Sequence, residues 1–207
     1  MFITFEGLDG SGKTTQLRLL VEYLQEQGRE VVVTREPGGT SIGDQVRHIL
    51  HDVANTEMSS EAEILLYSAS RAQLVNELVR PALAAGKVVI CDRYFDSTYA
   101  YQGYGRGLDL DMLRMVTQLA TGGLKADVTL FFDLDIERGL ARRVAGGEEM
   151  NRMDQQKAEF YNRVYQGYQA LIAAEPERWQ VVDADRPVAE IQVDVREILE
   201  ERSGFAG

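Results

Sequence analysis

Apolar residues along the chain fall into five short runs, separated by longer segments in which apolar positions recur every three or four residues. Short apolar runs are typical of buried strands, and the longer spacing is typical of amphipathic helices. The predicted strands are Phe2–Glu6, Arg29–Thr34, Lys87–Cys91, Asp127–Asp133 and Gln180–Asp183. The predicted helices are Thr14–Gln27, Ser41–Asp52, Ser60–Ala85, Asp109–Ala120, Ile136–Val144, Gln155–Ala174 and Val188–Arg202. Because strands alternate with helices, we expect a three-layer α/β fold, with a five-stranded parallel sheet covered by helices on both faces.

Two local patterns add detail to this arrangement. The consecutive valines Val31–Val33 predict a second strand that is covered on both faces of the sheet. The glycines within Gly103–Gly107 predict a turn before the next helix. With 207 residues, of which 44% are hydrophobic, the chain can bury a full core, so we expect one domain over residues 1–207.

The first predicted strand runs into a glycine-rich loop that has the P-loop pattern. Gly7, Gly12, Lys13 and Thr14 fill the fixed positions of that motif, between a strand and a helix. Glycines let backbone N–H groups approach phosphate oxygens, Lys13 would reach the β and γ phosphates, and Thr14 would offer its hydroxyl to Mg²⁺. The predicted ATP-binding residues are Gly7, Leu8, Asp9, Gly10, Ser11, Gly12, Lys13, Thr14 and Thr15. The alternative is a glycine-rich turn that binds nothing.

Charged residues also follow the second and third predicted strands. Arg35 comes after the second strand, and Asp92 and Arg93 come after the third. Ligands bind beyond the carboxyl ends of the strands in sheets of this kind, so these residues should converge with the P-loop. Asp92 would help hold Mg²⁺, and Arg93 would bind a second phosphate. The alternative is that Asp92 caps the following helix and that Arg93 is solvated.

Tyr67 and Arg71 lie four residues apart in the long predicted helix, so they project from one helix face. Such a pair could stack on a planar base and hydrogen-bond its edge. The alternative is an aromatic residue packed in the core beside a surface arginine.

A charged, glycine-containing segment at about residues 138–154 is a candidate lid. Its arginines, which are Arg138, Arg142, Arg143 and Arg152, surround Gly146 and Gly147. A flexible segment of this kind could close over ATP and bring Arg142 or Arg143 against the charge that develops on the transferred phosphoryl group. A solvated helix face explains Arg138 equally well.

Composition limits the partners and the compartment of the protein. The formal net charge of −11 argues against binding to a nucleic-acid backbone or to an anionic membrane surface. No apolar run reaches the length that spans a membrane, and the N-terminus lacks the pattern of a signal peptide. The single cysteine, Cys91, cannot form an internal disulfide and ends an apolar run, so we expect it to be buried. We therefore expect a cytoplasmic protein.

Together with the P-loop, five further segments cover essentially the whole chain. They are Thr34–Thr40 (TREPGGT), Tyr67–Arg71 (YSASR), Asp92–Tyr94 (DRY), Ser97–Gly103 (STYAYQG) and Asn151–Asp154 (NRMD). In sequence and in order these segments resemble those of the bacterial thymidylate kinases, a family of P-loop nucleoside monophosphate kinases. The resemblance implies a P-loop kinase fold with a short mobile lid and a homodimer. It also implies Mg²⁺-dependent transfer of the γ-phosphoryl group of ATP to dTMP, which gives dTDP and ADP.

The resemblance also implies roles for individual residues. Arg71 would hydrogen-bond the thymine edge, Tyr67 would stack on the ring, and Tyr101 would crowd the sugar C2′ position. The implied dTMP-binding residues are Asp9, Arg35, Arg47, Tyr67, Arg71, Arg93, Ser97, Tyr101 and Gln102. Thr14 and Asp92 would hold the metal, and Lys13 and Arg93 would carry the reaction with a lid arginine, Arg142 or Arg143.

Two other functions remain open at this point. The acceptor could be a different nucleoside monophosphate. Alternatively, the chain could be an ATP-binding switch that changes the affinity of a partner without any phosphoryl acceptor, although a switch does not explain Tyr67, Arg71 and Tyr101.

Overall fold

The computed structural model of the chain describes residues 1–145 and 158–203. Its centre is a sheet of five parallel strands in the order β2-β3-β1-β4-β5. The strands are β1 Phe2–Glu6, β2 Val31–Arg35, β3 Val88–Asp92, β4 Val128–Asp133 and β5 Trp179–Asp183. Every strand begins and ends within two residues of its predicted bounds, so the predicted α/β architecture is confirmed.

Nine α-helical segments and two π-helical segments connect and follow the strands in the described part of the chain. The α-helices are α1 Lys13–Glu26, α2 Ser41–His51, α3 Ser60–Leu74, α4 Arg80–Ala84, α5 Phe95–Thr98, α6 Leu110–Thr121, α7 Ile136–Ala145, α8 Ala158–Ala174 and α9 Val188–Ser203. The π-helical segments are Val75–Val79 and Tyr99–Gly105. The predicted long helix is thus observed as α3 and α4, joined by the first π-helical segment. None of the described helices is long and apolar enough to cross a membrane.

Apolar side chains bury both faces of the sheet, because side chains alternate along each strand. On one face, Ile3, Phe5 and Phe132 pack with the apolar residues of α1 and α9. On the other face, Phe2 packs beneath Leu74 and Val75, and Phe131 packs beneath the aromatic residues of α8. The sheet is therefore the middle of three layers.

The prediction for the second strand was wrong in one respect. β2 lies at the edge of the sheet and pairs only with β3, and its Val33 is 47% exposed. A run of valines indicates β structure, but it does not distinguish an edge strand from a central one. The strand is therefore only partly covered.

The predicted turn at Gly103–Gly107 was also wrong over most of its length. Residues up to Gly105 continue α5 as a π-helical segment, and only the following residues turn. A Cβ atom on Gly105 would lie 2.7 Å from the ring of Phe160, and one on Gly103 would lie 2.5 Å from Leu110. These glycines therefore allow close packing against α8 and α6.

Candidate active site

A cavity of about 390 Å³ lies where β1, β2 and β3 end. The predicted ATP-binding residues in its lining are Asp9, Gly10, Gly12, Lys13, Thr14 and Thr15. All nine predicted dTMP-binding residues line it, as do Asp92 and Arg142. Gly7, Leu8 and Ser11 are buried and are not part of the lining. The predicted donor and acceptor residues therefore share one cavity.

The glycine-rich loop is tightly packed against neighbouring backbone. Gly10 has φ +79°, and a Cβ atom there would lie 2.1 Å from the carbonyl oxygen of Gly139. Inside the loop, Lys13 Nζ donates hydrogen bonds to the carbonyl oxygens of Gly7 (3.1 Å) and Leu8 (2.9 Å). Burial, and then the charge of Arg93, lowers the pKa of Lys13 to about 8. The amine is thus held in the loop that would receive phosphate groups.

Arg93 is the one described residue other than glycine with a positive φ, at 69°. Its backbone N–H donates to Phe5 (2.9 Å), and the thiol of buried Cys91 donates to its carbonyl oxygen (2.9 Å). Its guanidinium donates to Asp9 (2.6 Å) and to Ser97 (3.0 Å). Burial opposes the charge, but Tyr101, Asp9 and other neighbours together raise the pKa of Arg93 well above its usual value. Arg93 is therefore a fixed cation inside the site, and not a solvated side chain.

The alternative for Tyr67 and Arg71 was an aromatic residue in the core beside an arginine at the surface. The structure shows the opposite arrangement, because the arginine is the buried residue of the two. Arg71 is only 1% exposed, and its guanidinium lies 2.7 Å from the carboxylate of buried Glu36. It also donates to Thr98 Oγ1 (2.9 Å), whereas Tyr67 is half-buried at the cavity. Arg71 Nη1 and Glu36 Oε1 are buried without a hydrogen-bond partner among the described residues. The pair thus keeps one donor and one acceptor that a bound base edge could use.

The remaining acceptor-side residues are also held in place. Arg47 donates to the carbonyl oxygen of Pro37 (3.0 Å), and Arg35 pairs with Asp44 (3.2 Å). Burial, and then the charge of Arg35, lowers the pKa of Arg47. These two arginines add positive charge to one part of the cavity lining, in a protein that is acidic as a whole.

Gln102 is oriented by a buried carboxylate. Its Nε2 donates to Glu63 Oε1 (2.8 Å), and Arg106 holds the same carboxylate with two contacts of 2.8 and 2.9 Å. Because the amide nitrogen is directed to Glu63, the orientation of the Gln102 amide group is fixed in the cavity lining.

Asp92 and Thr14 fit a Mg²⁺ ion by their chemistry. Mg²⁺ prefers oxygen ligands, and both side chains carry oxygen at the lining of the cavity. Asp92 Oδ1 is buried and has no hydrogen-bond partner within the described ranges, whereas Thr14 is exposed. A buried carboxylate oxygen without a partner is costly unless something else satisfies it, so the residues present suit a bound cation.

Comparisons with known proteins agree on one family. The family model described as "Thymidylate kinase" matches residues 5–195 of the chain. The chain belongs to the thymidylate kinase family. The thymidylate kinase of Roseiflexus sp. (strain RS-1) is 49% identical over 211 residues, which cover 97% of this chain and 93% of that protein. That of Symbiobacterium thermophilum is 50% identical over 201 residues, with coverage of 97% and 93%.

A solved structure supports the same assignment. The crystal structure of thymidylate kinase from Ehrlichia chaffeensis has a TM-score of 0.79 and 36% identity to this chain, and the match covers 97% of this chain and 98% of that one. The predicted resemblance and P-loop kinase fold are therefore confirmed. The predicted enzyme class and function, a phosphotransferase and a thymidylate kinase, are likewise confirmed by the family, the relatives and the solved structure.

The predicted lid of this thymidylate kinase family member is described only at residues 138–145. There, Arg138 pairs with Asp185, and Arg142 donates to the carbonyl oxygen of Ala184 (3.2 Å). Arg142 thus lines the cavity while it contacts the loop after β5. The side chain of Arg143, and residues 146–157 with Arg152 and the NRMD segment, lie outside the description.

Sequence reasoning missed several buried partners of the site residues. The missed residues are Glu6, Glu36, Glu63, Thr98 and Tyr168. One sequence feature could have pointed to Glu6, which is a carboxylate at the end of an apolar strand and directly before the P-loop. No sequence feature pointed to Tyr168, since it lies far along the chain in a helix whose aromatic residues suit an ordinary hydrophobic core.

Proposed function

We propose that this chain carries out the reaction of its family inside the cavity described above. The γ-phosphoryl group of ATP would pass to the phosphate of dTMP, which gives ADP and dTDP. One observation carries this proposal: the cavity that contains the P-loop also contains the buried Arg71–Glu36 pair, with a donor and an acceptor left for a base. A simple ATP-binding site has no need of that second feature.

On the donor side, the P-loop backbone would hold the phosphates of ATP, and Lys13 would exchange the carbonyl oxygens of Gly7 and Leu8 for phosphate oxygens. Thr14 and Asp92 would hold Mg²⁺, which neutralises charge on the phosphates when it is bound. The partnerless Oδ1 of Asp92 supports this assignment.

On the acceptor side, Tyr67 would stack on the thymine ring while Arg71 hydrogen-bonds its edge. Arg93 and Arg35 would lie beside the acceptor phosphate, and Tyr101 would crowd the sugar C2′ position. The remaining members of the proposed dTMP site are Asp9, Arg47, Ser97 and Gln102. Their shared position in the cavity lining supports the set as a whole.

Catalysis would then come from positioning and charge neutralisation, since phosphoryl transfer needs little covalent chemistry from the protein. Lys13 and Arg93 would neutralise the charge that develops on the transferred group. A lid arginine, Arg142 or Arg143, would complete the set.

An acceptor panel tests the function. ADP release is measured with ATP, Mg²⁺ and dTMP, dUMP, CMP, GMP or AMP in parallel. We expect dTMP to give the highest kcat/KM, by about tenfold or more over the purines, because hydrogen-bonding sites reject mismatched ligands strongly. A preference for another monophosphate would refute the assigned acceptor, and ATP binding without acceptor-dependent turnover would point to the switch.

We also infer a cytoplasmic homodimer that binds neither nucleic acid nor membrane. The net charge of −11 supports the absence of nucleic acid and of an anionic membrane surface among its partners. Helix α3 packs beside α2 and α6, and these helices expose large apolar residues, which supports association between two copies. The exposed residues are Ile42, Ile49, Leu65, Met115 and Leu119. Light scattering should give twice the mass of one chain, and the mass of a single chain would refute the dimer.

A further inference from the structure

Glu6 is a fully buried carboxyl group that the reaction described above does not use. It is the last residue of β1, directly before the P-loop, and its exposure is 0%. Because side chains alternate along a strand, Glu6 lies on the same face of the sheet as Thr4. A carboxylate is costly to bury, so its partners indicate what it does there.

Three groups donate hydrogen bonds to Glu6. The backbone N–H of Tyr94 donates to Oε1 (2.8 Å), and the hydroxyls of Ser97 (2.6 Å) and Tyr168 (2.8 Å) donate to Oε2. A hydroxyl has one proton and two lone pairs. Once both hydroxyl protons are directed to Glu6, the oxygens of Ser97 and Tyr168 can only accept from other neighbours.

The neighbour that uses these oxygens is Arg93. Its Nη1 donates to Ser97 Oγ (3.0 Å) and to Tyr168 Oη (3.3 Å), and lies 4.0 Å from Glu6 Oε2, too far for a direct hydrogen bond. Its Nη2 instead donates to Asp9 (2.6 Å) and to Tyr101 (3.3 Å), which line the cavity. One nitrogen of the guanidinium is thus anchored, and the other is directed to the cavity.

We propose that Glu6 is a positioning residue for Arg93, which it aims at the acceptor phosphate through the hydroxyls of Ser97 and Tyr168. The hydrogen bond from the backbone N–H of Tyr94 adds to this role, because it fixes the peptide bond that follows Arg93. The backbone of Arg93 needs such support, since its φ of 69° is unfavourable for a residue with a side chain. The inference rests on the proposed function, in which Arg93 binds the acceptor phosphate.

The network needs a carboxylate, and an amide of the same shape disrupts it. In Glu6→Gln, the amide oxygen must accept from Tyr94, which leaves the amide nitrogen beside Ser97 and Tyr168. Both hydroxyls would then accept from that nitrogen. One of them can donate to the other, since Ser97 Oγ and Tyr168 Oη lie 3.1 Å apart, but the second proton would turn towards Arg93 Nη1, so that donor faces donor. If the amide flips instead, its nitrogen faces the N–H of Tyr94. Either arrangement releases Arg93 from its anchored position.

The test compares Glu6→Gln with wild type at pH 8. We expect kcat/KM for dTMP to fall by about 10- to 100-fold, because small misplacements of a catalytic group have effects of that size, while the KM for ATP stays within about twofold. In a Ser97→Ala/Tyr168→Phe background, adding Glu6→Gln should cost less than about threefold, since the groups through which it acts are absent. The matched control is Thr4→Val, which removes a buried hydrogen bond to Thr129 (2.8 Å) from the same face of β1. It should leave both KM values unchanged.

Several results would overturn the proposal. They are an unchanged kcat/KM for dTMP in Glu6→Gln, an equal rise of both KM values, or an equally large loss in the Ser97→Ala/Tyr168→Phe background. If Glu6→Gln does not fold, as judged by its melting temperature, Tyr168→Phe alone must raise the KM for dTMP and not that for ATP; no change there also overturns the proposal. Failure of the proposed function is a separate outcome, because wild type itself would then show no dTMP-dependent ADP release.

Discussion

Replacing Arg71 by methionine should separate the structural role of this arginine from its role in base recognition. Arg71 holds Glu36 with two contacts of 2.7 and 2.8 Å, and both side chains are buried. In Arg71→Met, Glu36 loses its partner while it remains inside the protein. Removing one member of a buried ion pair costs about 3–5 kcal/mol, which is a large share of the roughly 5–15 kcal/mol that stabilises a typical domain.

The double variant Glu36→Gln/Arg71→Met provides the comparison. Because it removes both charges, we expect it to recover most of the lost unfolding free energy, to within about 1–2 kcal/mol of wild type. It should not recover dTMP recognition. A hydrogen bond from a charged donor contributes about 1.5–3 kcal/mol, so kcat/KM for dTMP should stay about 10- to 100-fold below wild type in both variants.

Urea unfolding and steady-state kinetics measure the two effects independently on the same preparations. If the double variant regained kcat/KM for dTMP to near the wild-type value, Arg71 would be a structural residue and would not bind the base. If Arg71→Met were as stable as wild type, Glu36 would not be the buried, unpaired charge that the reasoning requires.

Three further predictions concern other parts of the site. Lys13→Met should lower kcat by about 100-fold or more while the protein remains folded, because it removes a donor that faces developing charge; near-normal turnover would contradict the role of Lys13. Asp92→Asn should raise the Mg²⁺ concentration needed for half-maximal activity by about tenfold, as a ligand to a cation should; an unchanged Mg²⁺ dependence would place the ion elsewhere. Burial, and then the charge of Asp96, raises the pKa of Glu6 from 4.5 to about 7. Between these two pH values the folded protein keeps a proton on Glu6 that the unfolded chain has lost, so the free energy of unfolding falls as the pH rises through that window. Relative to Glu6→Gln, wild type should therefore lose up to about 3 kcal/mol of unfolding free energy between pH 4.5 and 8, and parallel pH profiles would contradict this shift.

The elements that could be predicted from the sequence are those with local signals. The strand β1, the glycine-rich loop and α1 follow directly from an apolar run, closely spaced glycines and helical spacing. The convergence of Arg35 and Arg93 with this loop also followed, because the carboxyl ends of parallel strands meet at one edge of a sheet.

The misses depend on contacts between residues that are far apart in the chain. The glycines before Arg106 predict a turn from their spacing, but Gly103 allows close packing against α6 and Gly105 allows close packing against α8, which no local pattern indicates. The exposure of Val33 depends on the order of strands in the sheet. Likewise, Glu6 and Tyr168 are separated by 162 positions and meet only in the folded protein.

A crystal structure of the chain with dTMP and a non-hydrolysable ATP analogue tests the central claim most directly. We expect the thymine ring to lie on Tyr67, its edge to lie about 3 Å from Arg71, and its phosphate to contact Arg93 on the side that faces the P-loop. If dTMP bound outside this cavity, or if its phosphate pointed away from the P-loop, the proposed transfer between two phosphates in one cavity would be wrong.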